Sequence, residues 1–291
     1  MTKKTNSEIL KKLESEGKER GLPARLVAFY QSLLSIQCGA EKHIGKVKPG
    51  LDKEEITNRL EQGSPILNFG DLVLDWAIIK DILAEVTAAL AAYPDLFGEL
   101  PKSFRKPRPH PSLPKRAVKA WFEGTSFPST IAVDNISEHI LLEAIINATL
   151  KPFLINHSKA LLSFVNQEQW RRRFCPICGG KSDFAFLDKE RGARWLLCSR
   201  CDTEWLFQRL QCPYCGTQDQ DKLAYLTDDK GTYRLYVCEQ CHKYIKAIDL
   251  RSTESEVLLP LERVLTLGMD KQAQEKGYEP DLSEATNHVA D

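Results

Sequence analysis

The sequence predicts an α+β protein, a helical N-terminal domain followed by two tandem four-cysteine modules. Three observations carry this. Of nine cysteines in 291 residues, all but Cys38 lie between Cys175 and Cys241, in four C-x-x-C pairs. The stretches from the first pair to the second and from the third to the fourth each read as strand, glycine-containing turn and strand. The first 165 or so residues show apolar side chains at helical spacing instead. The expected units are residues 1–168 (mostly helical), 169–206 (first module), 207–250 (second module) and 251–291 (a helical segment and tail).

In the helical region, Leu26, Phe29, Tyr30, Leu33 and Leu34 recur at helical spacing. The run from Leu72 to Tyr93 is the clearest helix. Trp76, Ile79, Leu83, Val86 and Leu90 share one face, Asp71 is placed to cap it, and Pro94 ends it. Gly63-Ser64-Pro65 breaks the chain ahead of it. Ile140–Val165 is a third long helical stretch, in which Pro152 is expected to kink the helix or start another. The proline-rich stretch from Pro94 to Pro128 reads as an irregular surface connection, with Lys102, Arg105, Lys106 and Arg108 on a solvated loop. Pro260–Gln274 reads as helix and the closing polar residues as a frayed tail. Cys38, in an apolar stretch, reads as a small buried hydrophobe.

The charge balance narrows the function classes. Forty basic and forty acidic residues cancel, which leaves no whole-chain electrostatic footprint for nucleic acid or anionic membrane. No run approaches the roughly 20 apolar residues that span a bilayer, so no membrane insertion is expected. The first ten residues lack the apolar core of a secretory signal. A cytoplasmic location follows as the expectation, and there clustered cysteines stay reduced and bind metal.

Two of the four pairs have the fuller form C-P-x-C-G: Cys175 to Gly179 and Cys212 to Gly216. The other two, Cys198/Cys201 and Cys238/Cys241, lack the proline and glycine. The order full, plain, full, plain is an internal repeat of about 40 residues. Cysteines three apart on a tight turn direct both sulfurs to one ion, and glycine after the second permits the positive φ such a turn needs. Phe184–Leu187 and Arg194–Leu197 flank one turn, and Leu223–Leu226 and Tyr233–Val237 flank another. Each hairpin would bring its own two knuckles together. The expected ligands are therefore Cys175, Cys178, Cys198 and Cys201 for one ion and Cys212, Cys215, Cys238 and Cys241 for a second. Modules of this kind are rubredoxin-like or zinc-ribbon, and four thiolates suit iron or zinc equally. A thiol–disulfide role for single pairs and a cross-brace of alternate knuckles are the weaker readings. His242 is superfluous beside four thiolates.

A closed thiolate sphere leaves no position for water or substrate, and no nucleotide-binding glycine loop, H-E-x-x-H or G-x-S-x-G is present. The chain reads as a non-enzyme. The cysteine block is nearly neutral once its thiolates are counted, which disfavours a nucleic-acid grip.

The succession Cys175-Pro176-Ile177-Cys178-Gly179, Cys198-x-x-Cys201 followed by Thr203-Glu204-Trp205, Cys212-Pro213-Tyr214-Cys215-Gly216 and Cys238-x-x-Cys241 resembles the formate dehydrogenase accessory proteins of FdhE type. Looser matches are Gly63-Ser64-Pro65, Lys151-Pro152-Phe153-Leu154, and Leu267-Gly268-Met269-Asp270 through Gly277-Tyr278. The resemblance implies a cytoplasmic, non-enzymatic assembly factor. Its partner would be the catalytic subunit of a respiratory formate dehydrogenase, with rubredoxin-like iron in the cysteine sites. It also implies Thr203, Glu204 and Trp205 as a contact element. A homo-oligomer is compatible with this. A rubredoxin-like electron carrier is the alternative, and a zinc-ribbon nucleic-acid binder a more distant one.

Overall fold

In the computed structural model, which describes residues 6–48, 50–101, 104, 113–129, 131 and 135–281, the N-terminal helices include the three expected from apolar spacing. These N-terminal helices are α1 (Asn6–Glu19), α2 (Ala24–His43), α3 (Lys53–Glu61), α4 (Trp76–Ala91), α5 (Pro94–Phe97), α6 (Lys115–Glu123) and α7 (Ile136–Leu161). Helices α2, α4 and α7 pack on one another. Their shared core contains Phe29, Ile79, Leu83, Val86, Leu142, Ile146 and Phe153. Each such burial is worth roughly 1.5–3 kcal/mol relative to exposure.

Several local details differ from the sequence expectation. Helix α4 starts at Trp76, and Asp75 caps it by accepting hydrogen bonds from the Ala77 and Ile78 N–H groups. Asp71 instead accepts from the Asn68 N–H and pairs with Arg59 at 2.5 Å. The backbone is extended at Leu72, so the acid that meets the first helical N–H groups is the later one. Pro152 neither ends α7 nor starts a new helix, because a neighbour takes the carbonyl it frees. Proline lacks the N–H that would reach Ala148, and the Gln37 side chain on α2 donates to that carbonyl at 3.0 Å. Within the proline-rich connection, α6 is a true amphipathic helix. Pro114 precedes it and Gly124 closes it at φ 64°, with Ala117, Val118 and Trp121 buried. The Lys102–Arg108 cluster lies outside the described residues, as does the polar tail from 282. Cys38 is half-buried rather than fully enclosed.

The cysteine-rich half forms one six-stranded sheet. Its strands are β1 (Ser182–Leu187), β2 (Arg194–Cys198), β3 (Glu204–Leu206), β4 (Leu223–Thr227), β5 (Tyr233–Cys238) and β6 (Tyr244–Asp249). The spatial order is β3-β2-β1-β6-β5-β4. Each repeat is an antiparallel three-stranded meander. The two meanders join through the parallel pair β1–β6, in register from Phe184↔Lys246 to Leu187↔Asp249. After the sheet come α8 (Leu259–Leu265) and α9 (Leu267–Glu275), so the predicted helical patch breaks at Thr266. Helix α8 brings Leu261, Val264 and Leu265 against Leu13 and Val27 of the helical half. Helix α9 lays Ala273 on Leu235, Val237 and Tyr244. Among the described residues, no helix is long and apolar enough to cross a membrane.

Candidate metal centres

All four C-x-x-C pairs adopt the same turn. In each, the first cysteine's N–H donates to the carbonyl five residues on: Cys175 to Gly180, Cys198 to Thr203, Cys212 to Thr217 and Cys238 to Lys243. The N–H four residues after that cysteine donates back to its carbonyl, from Gly179, Asp202, Gly216 and His242. Those four residues are all left-handed, at φ 69°, 55°, 80° and 53°. Glycine supplies this conformation in the two fuller knuckles; aspartate and histidine are forced into it in the other two.

Two such turns face each other across each hairpin, and the sulfurs gather into two groups of four. Within each group they lie within 4.8 Å of one another. In the first, Cys175–Cys201, Cys178–Cys198 and Cys178–Cys201 are each 3.5 Å apart. In the second, Cys212–Cys241 is 3.7 Å and Cys215–Cys238 is 3.6 Å. A tetrahedron with metal–sulfur bonds of about 2.3 Å has sulfur–sulfur edges of about 3.8 Å. These separations fit one ion per group and are too long for disulfides, and all nine cysteines are free. Backbone N–H groups of Ile177, Arg200 and Tyr214 approach Cys175, Cys198 and Cys212 at 3.4 Å, as donors to thiolates would. The grouping joins adjacent knuckles, not alternate ones, and His242 belongs to neither group.

Burial together with the neighbouring thiols pushes Cys175 and Cys201 well above the ordinary thiol range. Burial also pushes Cys212 up to about 11. Burial opposes ionisation of Cys198 too, yet hydrogen bonds from Cys175, Cys178 and Cys201 bring it down. Four buried thiols do not ionise together unaided. A cation at the centre would supply the missing charge, and this donor set suits zinc or iron.

The first centre is built into the helical core. The segment after Gly63-Ser64-Pro65 hydrogen-bonds its knuckle like an added strand, with Ile66 and Leu67 N–H groups donating to the Pro176 and Ile177 carbonyls at 2.9 Å each. Lys151 on α7 reaches Asp202 at 2.7 Å and the Ser199 carbonyl at 3.3 Å. Arg263 on α8 reaches the same carboxylate and the Cys198 carbonyl, both at 2.6 Å. Burial would raise the Asp202 pKa, but Lys151 and Arg263 hold it below the usual carboxylate range. Arg200 donates to the Trp121 and Phe122 carbonyls and lies 4.4 Å over the Trp121 ring. Lys151, Asp202, Arg200 and Arg263 carry no signal in cysteine spacing. Lys151 sits in a motif the sequence singled out, and Arg200 and Asp202 lie within and just after the Cys198/Cys201 pair, but only as unspecified positions.

Thr203 is buried, its hydroxyl 2.9 Å from the Cys201 sulfur and 2.7 Å from Ser158 Oγ. Trp205 is fully buried and donates its indole N–H to the Arg172 carbonyl at 3.0 Å. Glu204, between them, is exposed.

At the seam between the meanders, Arg194 of β2 is buried over the Phe207 and Tyr236 rings. It donates to the Gln208 and Gln211 carbonyls, on the link leading to Cys212. Burial pushes it down to about 10, so it remains charged at neutral pH. After burial, the largest effects on it come from Tyr236, Cys212 and Tyr214, which raise its pKa, and Arg209, which lowers it. Cys212 of the second sulfur group is thus close enough to act on Arg194 electrostatically.

Residues 174–209 match the family model described as FdhE, central domain. The chain is 36% identical over 139 residues to the Protein FdhE homolog of Aquifex aeolicus (strain VF5), covering 44% of this chain and 49% of that protein. It is 29% identical over 112 residues to Protein FdhE of Escherichia coli O127:H6, covering 37% of this chain and 35% of that protein. The chain thus spans half or less of the length of these curated relatives. Its fold is similar to the crystal structure of the FdhE protein from Pseudomonas aeruginosa, with a TM-score of 0.61 and 20% identity, over 98% of this chain and 99% of that one.

Proposed function

We propose, taking the chain as a member of the FdhE family, that it is a non-enzymatic accessory protein for the maturation of a formate dehydrogenase. It binds that enzyme's catalytic subunit through a metal-stabilised scaffold in a reducing, cytoplasmic setting. The observation that carries this reading is the pair of preorganised four-sulfur cages, one of them packed into the helical core. A cage closed by four thiolates holds shape but offers no position to substrate. The eight cysteines would be the ligands and iron or zinc the ion. Glu204 would present a contact at the surface, with Thr203 and Trp205 fixing its strand from within.

The test is co-purification of the catalytic subunit with the native protein and with Cys175→Ser/Cys212→Ser, scored beside metal content. We expect two metal equivalents and clear recovery for the native chain, and at least a tenfold loss of recovery for the variant. Equal recovery would sink the metal-supported docking surface. The electron-carrier reading draws support from the partial exposure of Cys215 and Cys241. It requires iron, so anaerobically purified protein holding only zinc rules it out.

A further inference from the structure

The two centres share one turn geometry and one donor set, yet their surroundings differ. All four sulfur-bearing residues of the first are buried, at 0%, 3%, 0% and 1% exposure for Cys175, Cys178, Cys198 and Cys201. In the second, Cys212 and Cys238 are buried at 2% each, while Cys215 and Cys241 are partly exposed. The first is gripped by the 63–67 segment, α6, α7 and α8. The last knuckle of the second is held by a short C-terminal strap: the Glu279 N–H donates to the His242 carbonyl at 2.8 Å, and the Tyr244 N–H to the Glu279 carbonyl at 3.2 Å. The Tyr278 hydroxyl bonds Glu239 of the same turn. Strand β4, beside this centre, is an edge strand with four of its five residues exposed.

We propose that the second centre is an exchangeable soft-metal site, while the first is locked. Cys215 and Cys241 are the ligands through which metal enters and leaves. The proposal rests on the metal reading above. The two accessible thiolates come from different knuckles, so an incoming donor can displace one from each knuckle while Cys212 and Cys238 keep hold of the ion. Each step breaks one metal–sulfur bond as a bond forms to the incoming thiolate or chelator. The released thiolate takes a proton from water, and the metal's oxidation state is unchanged. At the first centre the same step requires opening the core that contains Phe153 and Trp205. The ligand class is therefore a competing thiolate or a nitrogen–oxygen chelator that reaches sulfur from the surface, and the site exchanges metal without unfolding the chain.

The experiment uses the full chain, loaded anaerobically with two equivalents of zinc and challenged with excess 4-(2-pyridylazo)resorcinol. N-ethylmaleimide added at intervals, with peptide mass spectrometry, reads which cysteines have been released. We expect two phases of one equivalent each, at least tenfold apart, with Cys215 and Cys241 alkylated in the fast phase. Tyr278→Ala, which removes the strap's hydroxyl, should accelerate the fast phase alone. A single phase, or labelling of Cys198 or Cys201 with the first equivalent, overturns the proposal and leaves the metal reading intact. A chain that takes up no zinc or iron overturns both.

Discussion

Gln37 shows how one side chain sustains a whole helix. It fills the hydrogen bond that Pro152 deletes from α7. Leaving that buried carbonyl unpaired costs about 1–3 kcal/mol. Gln37→Leu should therefore lower unfolding stability by that amount in urea, and adding Pro152→Ala, which restores a backbone donor, should recover most of it. A neutral Gln37→Leu variant would show that the carbonyl is satisfied otherwise. His157, fully buried one turn further on, is a second case. Its Nδ1 is 2.8 Å from the Phe153 carbonyl and its Nε2 accepts from the Val73 N–H at 3.0 Å. Burial lowers its pKa, against a weaker opposing effect of the Phe153 carbonyl. The folded pKa lies below the unfolded value of about 6.5, so the fold favours the neutral ring. Its contribution to stability is present above about pH 6.5 and is lost as pH falls through the folded value. Protonation would also turn a donor onto the Val73 donor. The urea midpoint should thus fall between about pH 7.5 and pH 5, and the fall should be shallower in His157→Gln. Equal pH slopes would refute this role. Neither contact was legible in the sequence, because each joins residues 84 or more positions apart or places one helix's side chain on another's backbone.

Knuckles and hairpins are the elements the sequence specified best. Glycine at 179 and 216 announced the left-handed position; Asp202 and His242, in the same conformation, did not, since neither type is diagnostic of it. The strands of both hairpins were visible from alternation around glycine turns, whereas β3 and β6 follow their knuckles directly with no turn signal of their own. Helix α6 was hidden by the prolines around it, although Pro114 before and Gly124 after are the usual frame of a helix. Gly63-Ser64-Pro65 was visible as a break, but its partner was not. A Cβ on Gly63 would lie 2.3 Å from Arg172 Nη2, and its φ is +71°. Gly63→Ala should cost about 1–2 kcal/mol from backbone conformation alone. It should also speed hydrogen exchange at the Ile66 and Leu67 amides that grip the first knuckle. Unchanged protection there would mean that the segment holds its place without this glycine.

Across the whole molecule, the sheet makes one body of two repeats, and the first centre shares a core with the helices. Cys175, Cys178, Cys198 and Cys201 lie in the same apolar cluster as Ile79, Leu142 and Phe153. Cysteines of the second centre lie outside it. Structural thiolate sites contribute folding free energy directly, so loss of the first should cost several kcal/mol and unsettle the helices. Cys178→Ser is expected to lower the thermal transition seen by helical circular dichroism, while Cys241→Ser leaves that transition nearly unchanged. Equal effects from the two would show that the sheet transmits both losses. By itself the sequence determined the helical and cysteine-rich halves, the eight clustered sulfurs and their adjacent pairing. Those features depend on short-range spacing: period 3.6 for helix, period 2 for strand, and three residues for a metal knuckle. Tertiary structure alone decided which centre is enclosed, that β1 and β6 fuse the repeats, and that Lys151 and Arg263 meet at Asp202. Those outcomes depend on contacts between residues about fifty or more positions apart, where no local period constrains which surfaces meet and burial of apolar area selects the partner.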